Sequence, residues 1–415
     1  SGFGSPPRAP CRASRLLMMC SCLHIKGSFC EVVEQEGAFE AEGTEWVELQ
    51  KLAPRARVCQ ALASGAVRLL SASWLIAQGE RYVIRRMQDL PEEAFLSPEN
   101  ATALFGKDCS VVVISYGWLS STHPDPTGFH ARTVQKYLIK HRRGLGLSEV
   151  GLFWDYASLP QDRSGGAEQT EEEKNVLKRG LGSVSFLYGD PKTLVLRLTK
   201  MPKGLQPVES KEVNLTPYKD RGWCLFETAV SDLLKGASKV LDLGLGGEAL
   251  EQEGARWTEV QRASVTGRQP PLTPADMALE LETRMFSKGS DRALVTKMYK
   301  DFFHQAALST EVLSFVHEAQ GPGWGDAELA QLARALPAFR NCQYVTLRGH
   351  CALGRGGLGH LRAQLAQLPA LQRLTLPGHL QDTNEGQAFE REWVATGRLL
   401  AEGFVEGLLW MPEWQ

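Results

Sequence analysis

The feature that most constrains the fold is an alternation of strand-type and helix-type sequence between about residues 106 and 245. The clearest strand runs from Cys109 to Ser115, where Val111 to Ile114 form an uninterrupted β-branched run, typical of a strand buried on both faces. Further strands are predicted at 150–154, 183–188, 193–198 and 239–243, with helices at 128–142 and 168–179 between them. Strands that alternate with helices indicate an α/β domain with a mainly parallel sheet.

A helix is predicted to begin after Asp220, which would serve as its N-cap. Its apolar residues recur at helical spacing and form one stripe that should pack on the sheet: Trp223, Phe226, Val230, Leu233 and Leu234. Glu227 follows Trp223 by four residues and therefore lies on the same stripe. A carboxylate there costs free energy unless a partner neutralises it or a cleft opens beside it. Glu227 is for this reason the first candidate functional residue.

Other polar and aromatic residues are predicted to gather near Glu227, because ligands of open parallel sheets bind beyond the carboxyl ends of the strands. The residues expected at this edge are Ser115, Tyr116, His123, Asp125, Asp155 and the stretch Tyr188–Asp190. An aromatic side chain such as Trp118 or Trp154 is suited to stack on a base.

Each of these candidates also has a structural interpretation. Asp155 is of the residue type that forms Asx turns, and His123 can bond loop carbonyls. Asp125 precedes a predicted helix and is suited to cap it. Glu227 can be half of an ion pair, although Arg221 lies six residues upstream and off its helix face, so the partner would come from another element. The sequence leaves both interpretations open.

Two motifs resemble the Toll/interleukin-1-receptor-type (TIR) domain family. Val112-Val113-Ile114-Ser115-Tyr116 is similar to the opening strand of these domains, and Arg221-Gly222-Trp223-Cys224-Leu225-Phe226-Glu227 resembles their Trp-Cys-x-x-Glu helix motif. The resemblance covers about residues 106–245. It implies a flavodoxin-like parallel sheet of about five strands wrapped by helices.

The resemblance implies two functions. Many TIR domains only assemble with other TIR domains, so the first expectation is a signalling or assembly module that acts through contacts with other protein chains, including self-association. The alternative is an NAD hydrolase, or NAD glycohydrolase, that cleaves the nicotinamide–ribose bond, with NAD as substrate and no cofactor. In the family members that cleave NAD the motif glutamate is catalytic, and it maps onto Glu227, whose carboxylate would stabilise an oxocarbenium-like state.

The resemblance also implies which residues would bind NAD. The family's positions beside the ribose and the nicotinamide map near Tyr116–Trp118 and Asp155, and the candidate binding set is Tyr116, Trp118, His123, Asp125, Asp155 and Trp223. The chain departs from the family pattern by an insertion at about 189–219 and by the loop His123-Pro124-Asp125-Pro126. The insertion is expected either to open or to cover the cleft beside Glu227.

Composition and charge narrow the functional classes. With 415 residues, of which 43% are apolar and 23% charged, the chain is expected to hold two or three globular domains. A net charge of -2 provides no field that would attract nucleic acid. Nine cysteines, an odd number without paired metal-type spacing, predict free thiols, a cytoplasmic location and no metal site. No run reaches the roughly 20 apolar residues of a membrane span.

The regions around the α/β domain divide into four segments. Residues 1–41 are expected to be a disordered tail on composition, with a signal-peptide core at 16–23 as the alternative. Residues 42–105 and 246–320 carry helical spacing and are expected to form an added helical layer, with Thr273 capping a helix that begins at Pro274. Residues 321–415 form the C-terminal segment.

The C-terminal segment contains an internal repeat. Tyr344-Val345-Thr346-Leu347-Arg348-Gly349 recurs as Arg373-Leu374-Thr375-Leu376-Pro377-Gly378, and the Thr-Leu pairs are 29 residues apart. Leucines at helical spacing separate the two stretches. The segment resembles one complete strand–helix leucine-rich repeat and a partial second one, expected to contact a protein partner; the alternative is two unrelated amphipathic units.

Overall fold

A five-stranded sheet organises the first half of the computed structural model. Its strands are Leu70–Ser71 (β1), Val111–Tyr116 (β2), Gly151–Phe153 (β3), Leu194–Leu198 (β4) and Val240–Asp242 (β5). The spatial order is β1-β3-β2-β4-β5, and all neighbouring pairs are parallel except β1 with β3. The first half is therefore a mixed α/β structure with a mostly parallel sheet, as the alternation predicts.

The structure describes residues 52–120, 123–161, 169–202, 213–287, 289, 291–364 and 367–400. The predicted tail at 1–41, the residues 203–212 of the predicted insertion and the C-terminal end from 401 lie outside the described residues.

Helices cover both faces of this sheet. Their bounds are Pro54–Ala63 (α1), Ala72–Ala77 (α2), Pro98–Phe105 (α3), Phe129–Leu145 (α4), Asp155–Ser158 (α5), Glu171–Gly189 (α6), Gly222–Leu234 (α7), Gly247–Glu251 (α8), Trp257–Ser264 (α9), Pro274–Glu282 (α10) and Asp291–Ser309 (α11). A 3₁₀ turn, Tyr218–Asp220, leads into α7. The predicted cap at Thr273 is confirmed, since its side chain accepts the N–H of Asp276 over 3.1 Å.

The alternation of side chains along β2 sorts the core into two layers. Val111 and Val113 belong to the apolar cluster that also contains Phe226 of α7, whereas Val112 and Ile114 belong to the cluster on the other face, with α4. All six residues of β2 are buried. A β-branched strand covered on both faces is what its sequence predicts.

The predicted strand at 183–188 is wrong, because these residues form the last turns of α6. Thr170 and Glu173 form a capping box that begins the helix, and its buried residues recur at helical spacing: Leu177, Leu181, Val184, Leu187 and Tyr188. A short apolar run fits a buried strand and a buried helix equally well, so periodicity over six residues cannot separate them.

The C-terminal half contains a second, four-stranded parallel sheet. Its strands are Val312–Ser314 (β6), Tyr344–Thr346 (β7), Arg373–Thr375 (β8) and Leu399–Leu400 (β9). The helices between and beside them are Asp326–Ala335 (α12), Arg355–Gln364 (α13), Gly378–Gln381 (α14) and Asn384–Ala395 (α15). Tyr344 pairs with Arg373, and so the predicted repeat of 29 residues appears as two neighbouring strands in register.

This repeat begins earlier and extends further than the sequence pattern predicts. β6 lies before residue 321, and β9 adds a strand after β8. The central residues of three strands, Leu313, Val345 and Leu374, are buried on the helix side. They join a single apolar cluster that also includes Val113 of the first sheet and Phe303 of α11. The two sheets therefore share one continuous core.

Candidate functional site

Helix α7 carries a continuous polar stripe on the side that faces the first sheet. Its members recur at helical spacing: Cys224, Glu227, Thr228, Ser231, Asp232 and Lys235. Cys224 Sγ lies 3.5 Å from the carbonyl oxygen of Tyr116 at the end of β2. Lys235 Nζ donates over 2.6 Å to Thr193 Oγ1, immediately before β4. Helix α7 therefore runs antiparallel to the strands, and Glu227 lies near their carboxyl ends, the edge at which open α/β sheets bind ligands.

The Glu227 carboxylate is held by a row of hydroxyl groups. Ser115 Oγ donates to Glu227 Oε2 over 2.6 Å and lies 2.6 Å from Tyr218 Oη. Serine has one hydroxyl proton, so Tyr218 must donate to Ser115. Thr228 Oγ1 lies 3.3 Å from Tyr218 Oη. We call Thr228, Tyr218, Ser115 and Glu227 the hydroxyl relay; Glu227 is 9% exposed and Ser115 is fully buried.

Tyr188 lies next to the hydroxyl relay in the core. Its hydroxyl donates to the carbonyl oxygen of Ile114 over 2.6 Å. Burial raises the pKa of Tyr188, and the charge of Glu227 adds to this effect. Tyr188 therefore bonds the backbone next to Ser115, and it comes from the end of α6 and not from a strand.

The lower part of the polar stripe contains buried ions. Asp232 Oδ1 accepts from Arg197 of β4 over 2.6 Å, and both side chains are almost fully buried. Burial lowers the pKa of Arg197 and the nearby Asp232 carboxylate raises it. The net shift of the pKa is a rise. Burial also lowers the pKa of Lys235 to about 7. Arg197 pairs with Ser115 near the carboxyl end of β4, whereas Lys235 lies at the amino end, so the two contacts fix α7 along the sheet.

A second cluster forms around Asp155. Tyr116 Oη donates to Asp155 Oδ1 over 2.8 Å, and Trp118 Nε1 donates to Asp155 Oδ2 over 3.3 Å. The Tyr156 amide also donates to Asp155 Oδ1, over 2.7 Å, whereas the Ala157 amide, which an Asx turn would use, donates to the Trp154 carbonyl over 2.8 Å. Burial raises the pKa of Tyr116, and the charge of Asp155 adds to it. Three predicted site residues, Tyr116, Trp118 and Asp155, are therefore in contact through hydrogen bonds.

The two clusters lie on opposite faces of β2. Tyr116 packs with the α4 layer, and its ring centroid is 5.6 Å from that of Trp154. Ser115 points to the other face, toward α7. Neighbouring residues of a strand point to opposite faces, so a common strand end does not bring Tyr116 and Glu227 onto the same face of the sheet.

His123 and Asp125 make the contacts that their structural interpretations predict. His123 Nε2 lies 2.9 Å from the carbonyl oxygen of Ile84, and its Nδ1 accepts the amide of Asp125 over 3.0 Å. Asp125 is fully buried, and its Oδ2 accepts the amide of Ala131 in the first turn of α4 over 2.8 Å. Burial raises the pKa of Asp125.

Trp223 points away from both clusters. Its indole Nε1 donates to Asp291 Oδ2 over 3.0 Å at the start of α11, and its ring belongs to the apolar layer around Phe226. The predicted N-cap role of Asp220 is wrong: Asp220 ends the 3₁₀ turn, and Arg221 occupies the N-cap position without a side-chain cap bond. Because the 3₁₀ turn includes Asp220, α7 begins one residue later than predicted.

Residues 213–218, the described end of the predicted insertion, lie along the carboxyl end of β2, and we call them the strap. The Asn214 amide donates to the Leu119 carbonyl over 2.9 Å, and Val213 forms an isolated β-bridge with Ser120. Tyr218, the last strap residue, supplies its hydroxyl to Ser115. The described end of the insertion therefore lies against Ser115, the hydrogen-bond partner of Glu227.

The structure also brings to this edge two groups of residues that are not among the predicted site residues. One is the relay pair Tyr218 and Thr228, the other is His130, whose ring lies 5.6 Å from that of Tyr116 and which is 1% exposed. Burial lowers the pKa of His130 to about 3, and the charge of Arg221 adds to this shift. The polar spacing along α7 was the available signal for Thr228; nothing local marks Tyr218 or His130.

Among the described residues, no group of three His, Cys, Asp or Glu side chains is arranged to hold a metal ion. In the same part of the chain, no helix combines the length and apolar character needed to cross a membrane. Comparison of the chain with family models, curated proteins and solved structures finds no match. The site therefore has to be interpreted from its own geometry.

Proposed function

We propose that the chain is a TIR-like signalling or assembly module that acts through contacts with other protein chains. The strand order supports the flavodoxin-like part of this proposal. Taken in chain order, the parallel strands β2 to β5 lie in the spatial sequence second, first, third and fourth, which is the beginning of the flavodoxin-type order. The five described cysteines that are free thiols fit a cytoplasmic location: Cys59, Cys109, Cys224, Cys342 and Cys351.

The observation that carries the assembly proposal is the closure of Glu227. Its carboxylate is bonded to Ser115, Tyr218 lies behind that serine, and little of the residue reaches solvent. The second cluster is similarly occupied, because Asp155 accepts from both Tyr116 and Trp118. In this arrangement the polar groups of the candidate site form hydrogen bonds with one another.

The second sheet offers a surface for protein contacts. The partly or fully exposed side chains of β6 to β8 form what we call the repeat face: Val312, Ser314, Tyr344 and Arg373, with the buried Thr346 and Thr375 beside them. Tyr344 is half-buried and Arg373 is exposed. Repeat proteins commonly bind partners on such extended faces, and tyrosine and arginine are enriched in protein interfaces.

Sedimentation velocity over a concentration series tests this proposal. The wild-type chain should gain mass with concentration, and Arg373→Glu should weaken the association, because the substitution reverses a charge on the repeat face. Arg355→Glu is the matched control, since Arg355 is 85% exposed on the helical side of the same unit. A strictly monomeric protein at the highest attainable concentration contradicts self-association through this face.

A second candidate function is NAD hydrolysis with Glu227 as the key carboxylate. One specific observation favours it: the relay fixes one carboxylate oxygen by a 2.6 Å hydrogen bond at the carboxyl end of the central strand. A carboxylate held in place costs little reorganisation when it stabilises an oxocarbenium-like state.

The hydrolase proposal is tested by incubating the full chain with NAD and following nicotinamide release. Glu227→Gln preserves the shape of the side chain and an acceptor for Ser115 but removes the charge, so release should fall by at least about a hundredfold. Glu253→Gln, on an exposed residue, is the control. Equal release by Glu227→Gln and wild type would place the chemistry elsewhere.

A further inference from the structure

Arg221 holds the strap against the end of β2. Its guanidinium donates through Nε to the Thr216 carbonyl over 2.8 Å and through one NH₂ group to the Asn214 carbonyl over 3.0 Å. The other NH₂ group donates to the Trp118 carbonyl over 2.7 Å. One side chain therefore bridges two carbonyls of the strap and one of the loop that follows β2.

Gly117 makes this bridge possible. A Cβ atom at Gly117 would lie 2.5 Å from Arg221 Cζ, so any larger residue would displace the guanidinium. Arg221 itself is 8% exposed. Arg221 therefore fits closely against the backbone of Gly117.

The strap has little apolar burial of its own. Leu215 is 57% exposed and Pro217 is also exposed, while Tyr218 is the strap residue that is buried. A segment held mainly by hydrogen bonds, with few buried apolar contacts, opens locally at lower free energy than the helices around it. Loss of the Arg221 bonds removes much of what holds it.

We propose that the strap is an autoinhibitory lid over Glu227 and that Arg221 is its latch. In the closed state the strap places Tyr218 Oη on Ser115 and so completes the relay that occupies the carboxylate. When the latch is released, the strap lifts, Tyr218 leaves Ser115, and Glu227 becomes accessible to a ligand at the carboxyl edge. The part of this inference that concerns activity rests on the hydrolase proposal, whereas the part that concerns motion does not.

Hydrogen–deuterium exchange on the full wild-type chain is the first test. The Asn214 amide should exchange at least about tenfold faster than the amides of residues 225–230, and its rate should not depend on low concentrations of denaturant, because the strap opens without unfolding α7. Exchange of the strap and α7 at one common rate overturns the inference.

Two variants release the latch in independent ways. Arg221→Met removes the donors, and Gly117→Ala leaves Arg221 intact but displaces it. Both should accelerate strap exchange about tenfold or more, and both should increase nicotinamide release over wild type. Arg132→Met is the matched control, because Arg132 donates to the carbonyl of Thr127 in a neighbouring loop.

The readouts separate the two proposals. Faster strap exchange without nicotinamide release supports the lid and rejects the hydrolase. Unchanged strap exchange in folded Arg221→Met and Gly117→Ala overturns the lid, whatever the activity.

Discussion

At the scale of single residues, Glu227 shows how a carboxylate is tolerated on the buried side of a helix. A charge removed from water is costly unless hydrogen bonds replace its hydration. Here Ser115 supplies one short bond, and Tyr218 polarises that serine by donating to it. Such chains of donors strengthen one another in a low-dielectric interior.

Removal of the Ser115 hydroxyl should therefore lower the stability of the protein. Ser115→Ala removes a short hydrogen bond to the buried carboxylate and another to the Tyr218 hydroxyl, so we expect a loss of about 2–3 kcal/mol in the free energy of unfolding. Urea titration followed by circular dichroism measures it. Ser183→Ala is the control: Ser183 is equally buried, but its hydroxyl bonds only the carbonyl of Gly180 within α6. Equal losses in both variants would mean that Ser115 does no more than an ordinary buried serine.

Three buried histidines should make the protein sensitive to acid. Burial lowers the pKa of His130 to about 3 and those of His141 and His350 to about 4. Unfolded imidazoles take up a proton near pH 6.5, so the unfolded state binds more protons between that pH and about 4, and stability falls as the pH is lowered through this window. From pH 7 to 5.5 each histidine should cost about 1 kcal/mol.

The effect of His130 is separable by substitution. His130→Phe should remove about a third of this pH dependence, measured as the unfolding midpoint in urea at several pH values. His360→Phe, at an exposed position, should leave the dependence unchanged. A wild-type stability that is flat between pH 7 and 5 would contradict the argument.

At the scale of elements, α7 is fixed at both ends by arginines that bind backbone carbonyls. Arg221 acts at its N-terminus. At its C-terminus Arg268 donates to the Asp232 carbonyl through Nε over 2.9 Å and through an NH₂ group over 2.6 Å. The same guanidinium donates to the Ser314 carbonyl of β6 and lies 4.8 Å from the Phe315 ring centroid. Arg268 therefore caps α7 and joins it to the second sheet.

Arg268→Met should weaken this junction. The substitution preserves much of the aliphatic stem but leaves buried carbonyls of α7 and β6 without donors, so we expect a loss of about 3 kcal/mol. Hydrogen–deuterium exchange should localise the loss to residues 230–235 and 312–315. Arg334→Met, which breaks a largely exposed pair with Asp276, should cost less than about 0.5 kcal/mol. A comparable loss in both variants would refute the special role of Arg268.

At the scale of the whole molecule, the two sheets depend on one apolar core. α11 lies between them, and Phe303 contributes a ring whose centroid is 5.5 Å from that of Phe339. Phe302 and Phe303 are each 1% exposed. In the added helical layer, α11 thus belongs to the apolar core that connects the two sheets.

Phe303→Ala should destabilise both sheets together. The cavity at this position should cost about 3–5 kcal/mol, and the exchange protection of β2 and β7 should fall in parallel. Leu308→Ala, at a 61% exposed position of the same helix, serves as control and should have little effect. Loss of protection in only one sheet would show that the two unfold independently.

Most elements of the first sheet, and the strand repeat of the second, could be predicted from local sequence patterns. β-branched runs, capping residues and helical spacing act over a few residues, so they are legible without tertiary contacts. The same local signals failed at 183–188, where a buried helix and a buried strand share one apolar pattern. They also placed Glu227 on a buried helix face, at the edge of the sheet where ligands bind.

The surroundings of Glu227, in contrast, depend on contacts between residues that are far apart in the sequence. Its donor Ser115 is 112 positions away in the chain, and Tyr218 reaches that serine from a third segment. Tyr116 and Asp155 share the strand-end edge but belong to the other face, because adjacent residues of β2 point in opposite directions. Periodicity records which face of its own element a residue occupies. It carries no information about which distant side chain meets that face. For this reason the sequence predicted the buried carboxylate of Glu227 but not its hydrogen bond to Ser115.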